Sequence, residues 1–343
     1  MVRLKDIAQR AGVSVMTVSK ALRDLPDVAE STRQRIQALA REMGYVPDSV
    51  ARGLRTRATR LLGVILPAVT HPVYARVLLA LEERTYEIGY DLLYAHTLNL
   101  AEREEQAIER MLSRRVEGLF LCPTPRLTGQ ERIYEELAQS GTPVVVLGQP
   151  PPFCARFPSA AGDDAAGAYE GTRHLLELGH RRIAFLAGPV AAPWARERWE
   201  GYRRALLEAG ITPEERWVFA GGTTIEDGQR AAAQLLEEAP DVTAVFASND
   251  LTAIGFGHHL LNRGIRIPQE MSLVGFGNTL AAEYFRVPLT TLRQPKRRLG
   301  YAAMNLMSQL LRKQPADSVR LPVTLAVRAS TAPPRSSPLP SGG

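Results

Sequence analysis

Leu4-Lys5-Asp6-Ile7-Ala8-Gln9-Arg10-Ala11-Gly12-Val13-Ser14-Val15-Met16-Thr17-Val18-Ser19-Lys20-Ala21-Leu22 reads as a helix, a tight turn and a second helix. Leu4, Ile7, Ala8 and Ala11 recur at i, i+3, i+4 and i+7, which is one face of a helix. Gly12 stands where the chain must turn sharply, a place that favours a residue without Cβ. Ser14 is placed to cap the next helix by accepting a bond from one of its free N–H groups. That second helix turns Val18, Ala21 and Leu22 inward and leaves Val15, Met16, Ser19 and Lys20 on another face. In a helix-turn-helix those positions meet base edges in the major groove. Thr17 and the helix N-terminus are placed to bind phosphate. A third helix is expected at Ser31-Thr32-Arg33-Gln34, read as a capping box. Ile36, Leu39, Ala40 and Met43 form its apolar stripe, and Gly44 closes it.

Charge points the same way. Residues 1–60 hold 12 Lys and Arg against 6 Asp and Glu, and the remaining 283 residues hold 30 of each. A basic head on a neutral body implies a polyanion partner reached by one module only. The alternative is an ordinary helical hairpin in a small basic domain. The turn glycine, the cap and the localised charge arrive together, which favours DNA.

The chain of 343 residues is long enough for two sizeable cores besides the head. Cys122 and Cys154 are its only cysteines, so a disulfide framework is not expected and a reducing cytoplasm fits. The first residues hold no long apolar run, so no signal peptide is expected, and apolar stretches are strand-length, so no membrane span is expected.

From Leu61 onward, short apolar strands alternate with amphipathic helices. The strands expected are Leu61–Val69, Tyr90–Thr97, Val116–Pro123, Pro143–Gly148, Arg182–Gly188, Trp217–Ala220, Val242–Ser248 and Ser272–Phe276. Helical patterns fill the gaps over Tyr74–Ile88, Ala101–Ser113, Glu131–Gln139, Ala165–Leu178, Ala195–Ala209, Glu226–Glu238 and Leu251–Arg263. Two runs of β/α units predict doubly wound parallel sheets, with ligands beyond the carboxyl ends of the strands and a cleft between two lobes.

Several segments together are similar to the lactose-repressor (LacI/GalR) family of bacterial transcription regulators. They are Lys5-Asp6-Ile7-Ala8 through Val18-Ser19-Lys20-Ala21-Leu22, Gly44-Tyr45-Val46-Pro47-Asp48, Ser49-Val50-Ala51-Arg52-Gly53-Leu54, Gly179-His180-Arg181-Arg182-Ile183-Ala184, Ser248-Asn249-Asp250 and Val274-Gly275-Phe276. The match runs in register from about Val2 to Pro333.

The resemblance implies an α/β protein: an N-terminal three-helix helix-turn-helix domain plus a two-lobed, periplasmic-binding-protein-like core of doubly wound parallel sheets. The expected divisions are residues 1–47 for the head and 48–60 for a hinge helix and linker. Residues 61–162 with 291–322 would form one lobe, 163–290 with 323–332 the other, and 333–343 a disordered tail. The chain would cross between lobes three times, near Asp163, Thr290 and Pro322.

The DNA contacts implied are Lys5, Ser14, Val15, Met16, Thr17, Ser19 and Lys20 in the head, and Ala51, Leu54 and Arg55 in the hinge. There leucine would wedge into the minor groove at the operator centre, with Arg52, Arg57 and Arg60 adding phosphate contacts. Without the resemblance this stretch reads as a basic linker.

The effector residues implied are His71, Val73, Tyr74, Asp164, Trp194, Arg198 and Asn249, with Asn278 as a substitute. Where many relatives carry Gly-Phe/Tyr-Asp-Asp, this chain has Gly275-Phe276-Gly277-Asn278, and Gly277 has no side chain to grip a ligand. Lys20 stands where many relatives have Arg, which removes bidentate geometry toward guanine. Carboxylate, amide and guanidinium groups beside aromatic faces suit a polyhydroxylated ring. Plainer roles stand beside these: Asp164 and Asn249-Asp250 as helix caps, Tyr74 as core, Arg198 as a solvated helix charge and His180 as structural. His71 and His258-His259 lack metal-ligand spacing with a third partner.

The expected function is therefore a sequence-specific transcription regulator, a repressor controlled by a small-molecule effector, with double-stranded operator DNA as partner. A sugar is the expected effector, and a nucleobase or nucleoside the alternative. No cofactor, metal or membrane partner is expected. A transporter's solute-binding protein, or a cytosolic sugar-binding protein, shares the core but has no use for the basic head. A sugar kinase or other enzyme is disfavoured because no phosphate-binding glycine loop is present. The proline- and glycine-rich C-terminus carries no heptads, so a homodimer is expected rather than a tetramer.

Overall fold

The computed structural model describes residues 2–46, 58–127 and 132–334. The chain divides into two units, residues 1–59 and 60–343.

In the first unit, α1 (Leu4–Ala11), α2 (Val15–Ala21) and α3 (Glu30–Glu42) enclose a core of Ile7, Ala8, Val18, Ala21, Val28, Ile36 and Ala40. Gly12 ends α1 at φ 66°, the left-handed conformation that glycine enters without strain. Ser14 caps α2: its Oγ accepts from Thr17 N at 3.1 Å. The third helix differs from expectation. It begins one residue before Ser31, and its N-cap is Ala29, with no side-chain cap. Buried Val28 fixes the chain's entry there, and Glu30 in the first turn accepts from Gln34 Nε2 at 2.8 Å.

The second unit holds two six-stranded sheets. The first is β1 (Leu61–Leu66), β2 (Asp91–His96), β3 (Gly118–Leu121), β4 (Val144–Leu147), β5 (Ser159–Gly162) and, far along the chain, β11 (Val319–Leu321). Their order is β11-β5-β4-β3-β1-β2, all parallel. The second is β6 (Ile183–Ala187), β7 (Val218–Ala220), β8 (Ala244–Ala247), β9 (Ser272–Phe276), β10 (Thr290–Arg293) and β12 (Thr324–Ala326). Their order is β12-β10-β9-β8-β6-β7, with only β12 antiparallel. The central strands are apolar throughout because helices cover both faces, as parallel sheets require.

The helices of this unit are α4 (Pro72–Glu87), α5 (Ala101–Ser113), α6 (Arg132–Gln139), α7 (Asp164–Glu177), α8 (Pro193–Glu208), α9 (Ile225–Glu238), α10 (Asp250–Asn262), α11 (Leu280–Glu283) and α12 (Lys296–Leu311). The chain leaves the first sheet after Gly162. It returns after Arg293, when α12 packs on α4, and leaves again after Leu321. Residues 291–293, expected in the first lobe, lie in the second sheet. Thr291 and Leu292 pair with β9 on one side and β12 on the other. Arg60, expected in the linker, is tied into the core: its N donates to Glu117 Oε1 at 2.8 Å, and its guanidinium lies 5.2 Å from the Tyr90 ring.

Candidate DNA-binding surface and effector cavity

The α2 helix exposes what a groove-reading helix needs. Met16 is 61% exposed and Val15 46%, unusual values for large apolar side chains in a head with so small a core. Lys5 is exposed, and Thr17 is half-buried with its hydroxyl 2.9 Å from Ser14 Oγ. Lys20 is half-exposed and forms an ion pair with Asp27. Ser19 is a correction: its side chain is buried rather than turned to the base edges. Seven residues make barely two turns, and the packing that buries Val18 also covers its neighbour. Ala51, Leu54 and Arg55 lie outside the described residues.

In the second unit, helix starts converge on the carboxyl ends of the strands. His71 caps α4, its Nδ1 accepting from Val73 N at 3.4 Å; Pro72 follows at the first helical position. Asp163 caps α7, so Asp164 falls in the first turn rather than at the cap. Thr224 caps α9 and Asn249 caps α10. These ends enclose a cavity of about 570 Å³ between the two sheets. His71, Val73, Tyr74, Asp164, Trp194, Arg198 and Asn249 all line it.

Its centre is one buried ion pair. Arg198 donates from Nε and Nη2 to Asp164 Oδ2 at 3.0 and 2.7 Å, and from Nη1 to the Ser248 carbonyl at 2.5 Å. The guanidinium lies between two rings, 3.7 Å from the Phe276 centroid and 4.6 Å from that of Trp194. Gly188 makes room for that indole, because a Cβ there would sit 2.6 Å from Trp194. Asp164 Oδ1 is buried with no protein partner. Burial pushes the Asp164 carboxyl upward, and Arg198 opposes the shift.

Burial, helped by the Arg198 charge, lowers His71 from 6.5 to about 4, so the ring is neutral. With Nδ1 accepting, Nε2 carries the proton. Burial pushes the Cys122 thiol up to about 12, and it donates to Tyr74 Oη at 3.7 Å. Asn249 lines the cavity with its amide committed: Oδ1 accepts from Thr252 N at 2.9 Å, and Nδ2 donates to Thr252 Oγ1 at 2.8 Å and the Gly222 carbonyl at 3.3 Å.

Asn278 does not take part. It adopts φ 51°, its Oδ1 accepts from Arg328 at 2.7 Å, and it is not among the lining residues. The strand end is held by Lys296, whose Nζ donates to the Gly277 and Asn278 carbonyls at 2.6 and 2.9 Å. Sequence reasoning missed Leu98, Asn99, Cys122, Gln149, Thr223 and Gln294 on the cavity wall. They sit in aperiodic loops after strands, where only the rule about carboxyl ends signals them.

Two family models match the chain. Residues 3–48 match "Bacterial regulatory proteins, lacI family", and residues 59–329 match "Periplasmic binding proteins and sugar binding domain of LacI family". The chain belongs to the LacI family. Among curated LacI-family relatives, the HTH-type transcriptional repressor PurR of Vibrio atlanticus (strain LGP32) is 34% identical over 91% of this chain and 92% of its own. Catabolite control protein A of Priestia megaterium is 32% identical over 96% and 99%. The lac repressor dimer bound to operator and the anti-inducer ONPF superposes with a TM-score of 0.86, at 29% identity over 96% and 99%. The CelR–cellobiose complex superposes with a TM-score of 0.72, at 29% identity over 96% and 100%. Among the described residues no helix is long and apolar enough to cross a membrane. As a LacI-family member, this chain couples a DNA-binding head to an effector-binding core.

Proposed function

We propose that the protein is a transcriptional repressor that binds a pseudo-palindromic operator as a homodimer and is controlled by a neutral, ring-shaped effector in the cavity. The cavity's charge balance carries this reading. Among the described residues its only charged lining residues, Asp164 and Arg198, neutralise each other, and His71 is uncharged. An ionic ligand would be desolvated there without a counter-charge. A neutral ligand with a hydrogen-bond donor satisfies Asp164 Oδ1, and its apolar face meets walls of proline, Leu147, Leu251 and Tyr74.

A carbohydrate of up to about disaccharide size is the first reading, supported by the similar CelR–cellobiose complex. A nucleobase or nucleoside is the second reading, supported by the PurR relatives. The test takes an operator selected from random DNA and follows its binding by fluorescence anisotropy. Neutral sugars, purine bases and nucleosides are added in turn, with sugar phosphates as the charged comparison. A neutral compound should shift operator affinity. A response confined to the phosphates would overturn the reading. Sedimentation should show a dimer at micromolar concentration, and a stable tetramer would overturn that part.

A further inference from the structure

Leu98 and Asn99, both on the cavity wall, adopt φ 52° and 58°, two consecutive left-handed residues without a glycine. Asparagine tolerates that region, whereas leucine rarely enters it, so the turn is strained. Strain of this kind persists only where neighbours enforce it. Thr97 is fully buried and donates its N–H to the Leu66 carbonyl at 3.0 Å; its Oγ1 accepts from Asn99 N at 3.2 Å. Leu98 N donates to the Pro67 carbonyl at 2.9 Å, and Leu100 N to the Thr97 carbonyl at 3.0 Å. Thr124 Oγ1 donates to Thr97 Oγ1 at 3.3 Å, and Thr124 N donates to Glu104, which is itself fully buried and bonded to Arg126 and Tyr134. One buried network thus braces two cavity-wall loops, 97–99 and 122–125.

The second lobe has few polar groups left to offer a ligand. Arg198 is committed to Asp164 and Ser248, Asn249 to Thr252 and Gly222, Asn278 faces Arg328, and Gly277 has no side chain. On the first lobe, the exposed Asn99 and the half-buried Gln149 are lining residues, and their carboxamides make no hydrogen bond among the described residues. A carboxamide offers a donor and an acceptor side by side, which matches two adjacent hydroxyls or the amide edge of a base.

We propose that Asn99, held by the strained turn, is a specificity-determining contact for the effector, with Gln149 as a second contact from the same lobe. This rests on the cavity being the effector site. Discrimination between neutral rings then rests chiefly on the first lobe, while the second supplies the acceptor Asp164 Oδ1, with Thr223 and Trp194 beside it on the wall.

The full-length protein is titrated calorimetrically with a plate of neutral mono- and disaccharides, purine bases and nucleosides. The tightest wild-type binder and its nearest competitors are then carried to Asn99→Gly, Asn99→Asp and Gln149→Ala. Glycine accepts this φ without strain, so Asn99→Gly keeps the fold and its unfolding temperature stays at or above that of wild type. Each variant should lose affinity by roughly three- to tenfold, and the Asn99 variants should change the rank order of the competitors. Unchanged affinity and rank order in both Asn99 variants would overturn the inference while leaving the cavity assignment standing. If no compound on the plate binds the wild type, the neutral-ring reading fails and the inference fails with it.

Discussion

At the scale of single residues, the Arg198–Asp164 pair ties the wall of the proposed effector cavity to folding. Both side chains are 7% exposed, so each depends on the other for compensation. Arg198→Ala should cost about 3–5 kcal/mol, because it strands a buried carboxylate. Pairing Arg198→Leu with Asp164→Leu should recover most of that loss. Urea unfolding of the two variants checks both statements; an Arg198→Ala midpoint equal to wild type would refute the buried-pair argument. His71 makes a pH prediction. Its folded value is about 4 against an ordinary 6.5, so the unfolded chain takes up the proton first as pH falls. The group therefore weakens the fold progressively from pH 6.5 down to 4 and has no effect above 7. His71→Asn keeps an acceptor for the Val73 N–H and removes the titration. The variant should gain on wild type between pH 7 and pH 4.5, and parallel pH curves would count against the assignment.

At the scale of elements, α7 and α8 touch backbone to backbone at Gly201. A Cβ there would lie 2.2 Å from the Ala165 carbonyl oxygen and 2.8 Å from Tyr169 N. Backbone cannot swing aside as a side chain can, so Gly201→Ala should cost on the order of 1–3 kcal/mol and move Arg198, which is one turn away on α8. Thermal unfolding and effector titration should both respond, and an unaltered melting temperature would show that the helices separate freely. On α2, Val15→Ala combined with Met16→Ala removes the two most exposed apolar groups without touching the Ile7–Val18–Ile36 core. Base preference in a random-library selection should change while the fold is retained. An unaltered consensus would mean that another surface reads the bases.

At the scale of the molecule, one chain binding two ligands imposes reciprocity. If the effector changes operator affinity, operator must change effector affinity by the same factor, typically about 5–150-fold in coupled systems. Titrating each ligand with and without a saturating amount of the other supplies all four constants. A factor of one in both titrations would show that the two sites are not coupled. The geometry of the core makes such coupling physically reasonable: three chain crossings join the lobes, and Arg320 on β11 pairs with Glu197 on α8 across them at 2.5 Å. A ligand held by both walls favours one spacing of the lobes by as much as it binds that spacing more tightly.

What was legible in the sequence is what short-range physics controls. The turn at Gly12, the Ser14 cap and the apolar stripes of the head depend on residues within a few positions of one another. Ala101–Ser113 and Ser272–Phe276 were readable to their end residues, because periodicity and flanking turns agree there. The strands β5, β10, β11 and β12 were not legible. Three or four residues such as Ser159–Gly162 hold no period, and β11 becomes a strand only by joining β5, more than a hundred residues earlier, while β12 does so by pairing with β10. At the site, residue types and strand ends could be named in advance, but their partners could not. Asp164 meets Arg198 from 34 positions away, and Asn278 turns toward Arg328 from 50. Ser19 is buried by packing that no local pattern reports, and the left-handed turn at Leu98–Asn99 exists only because Thr97, Thr124 and Glu104 enforce it. The sequence alone determined the family, the two modules and the location of the cavity at the strand ends. Tertiary structure decided which polar groups remain available to a ligand, because a hydrogen-bonding group already satisfied by a distant residue has little left to offer one.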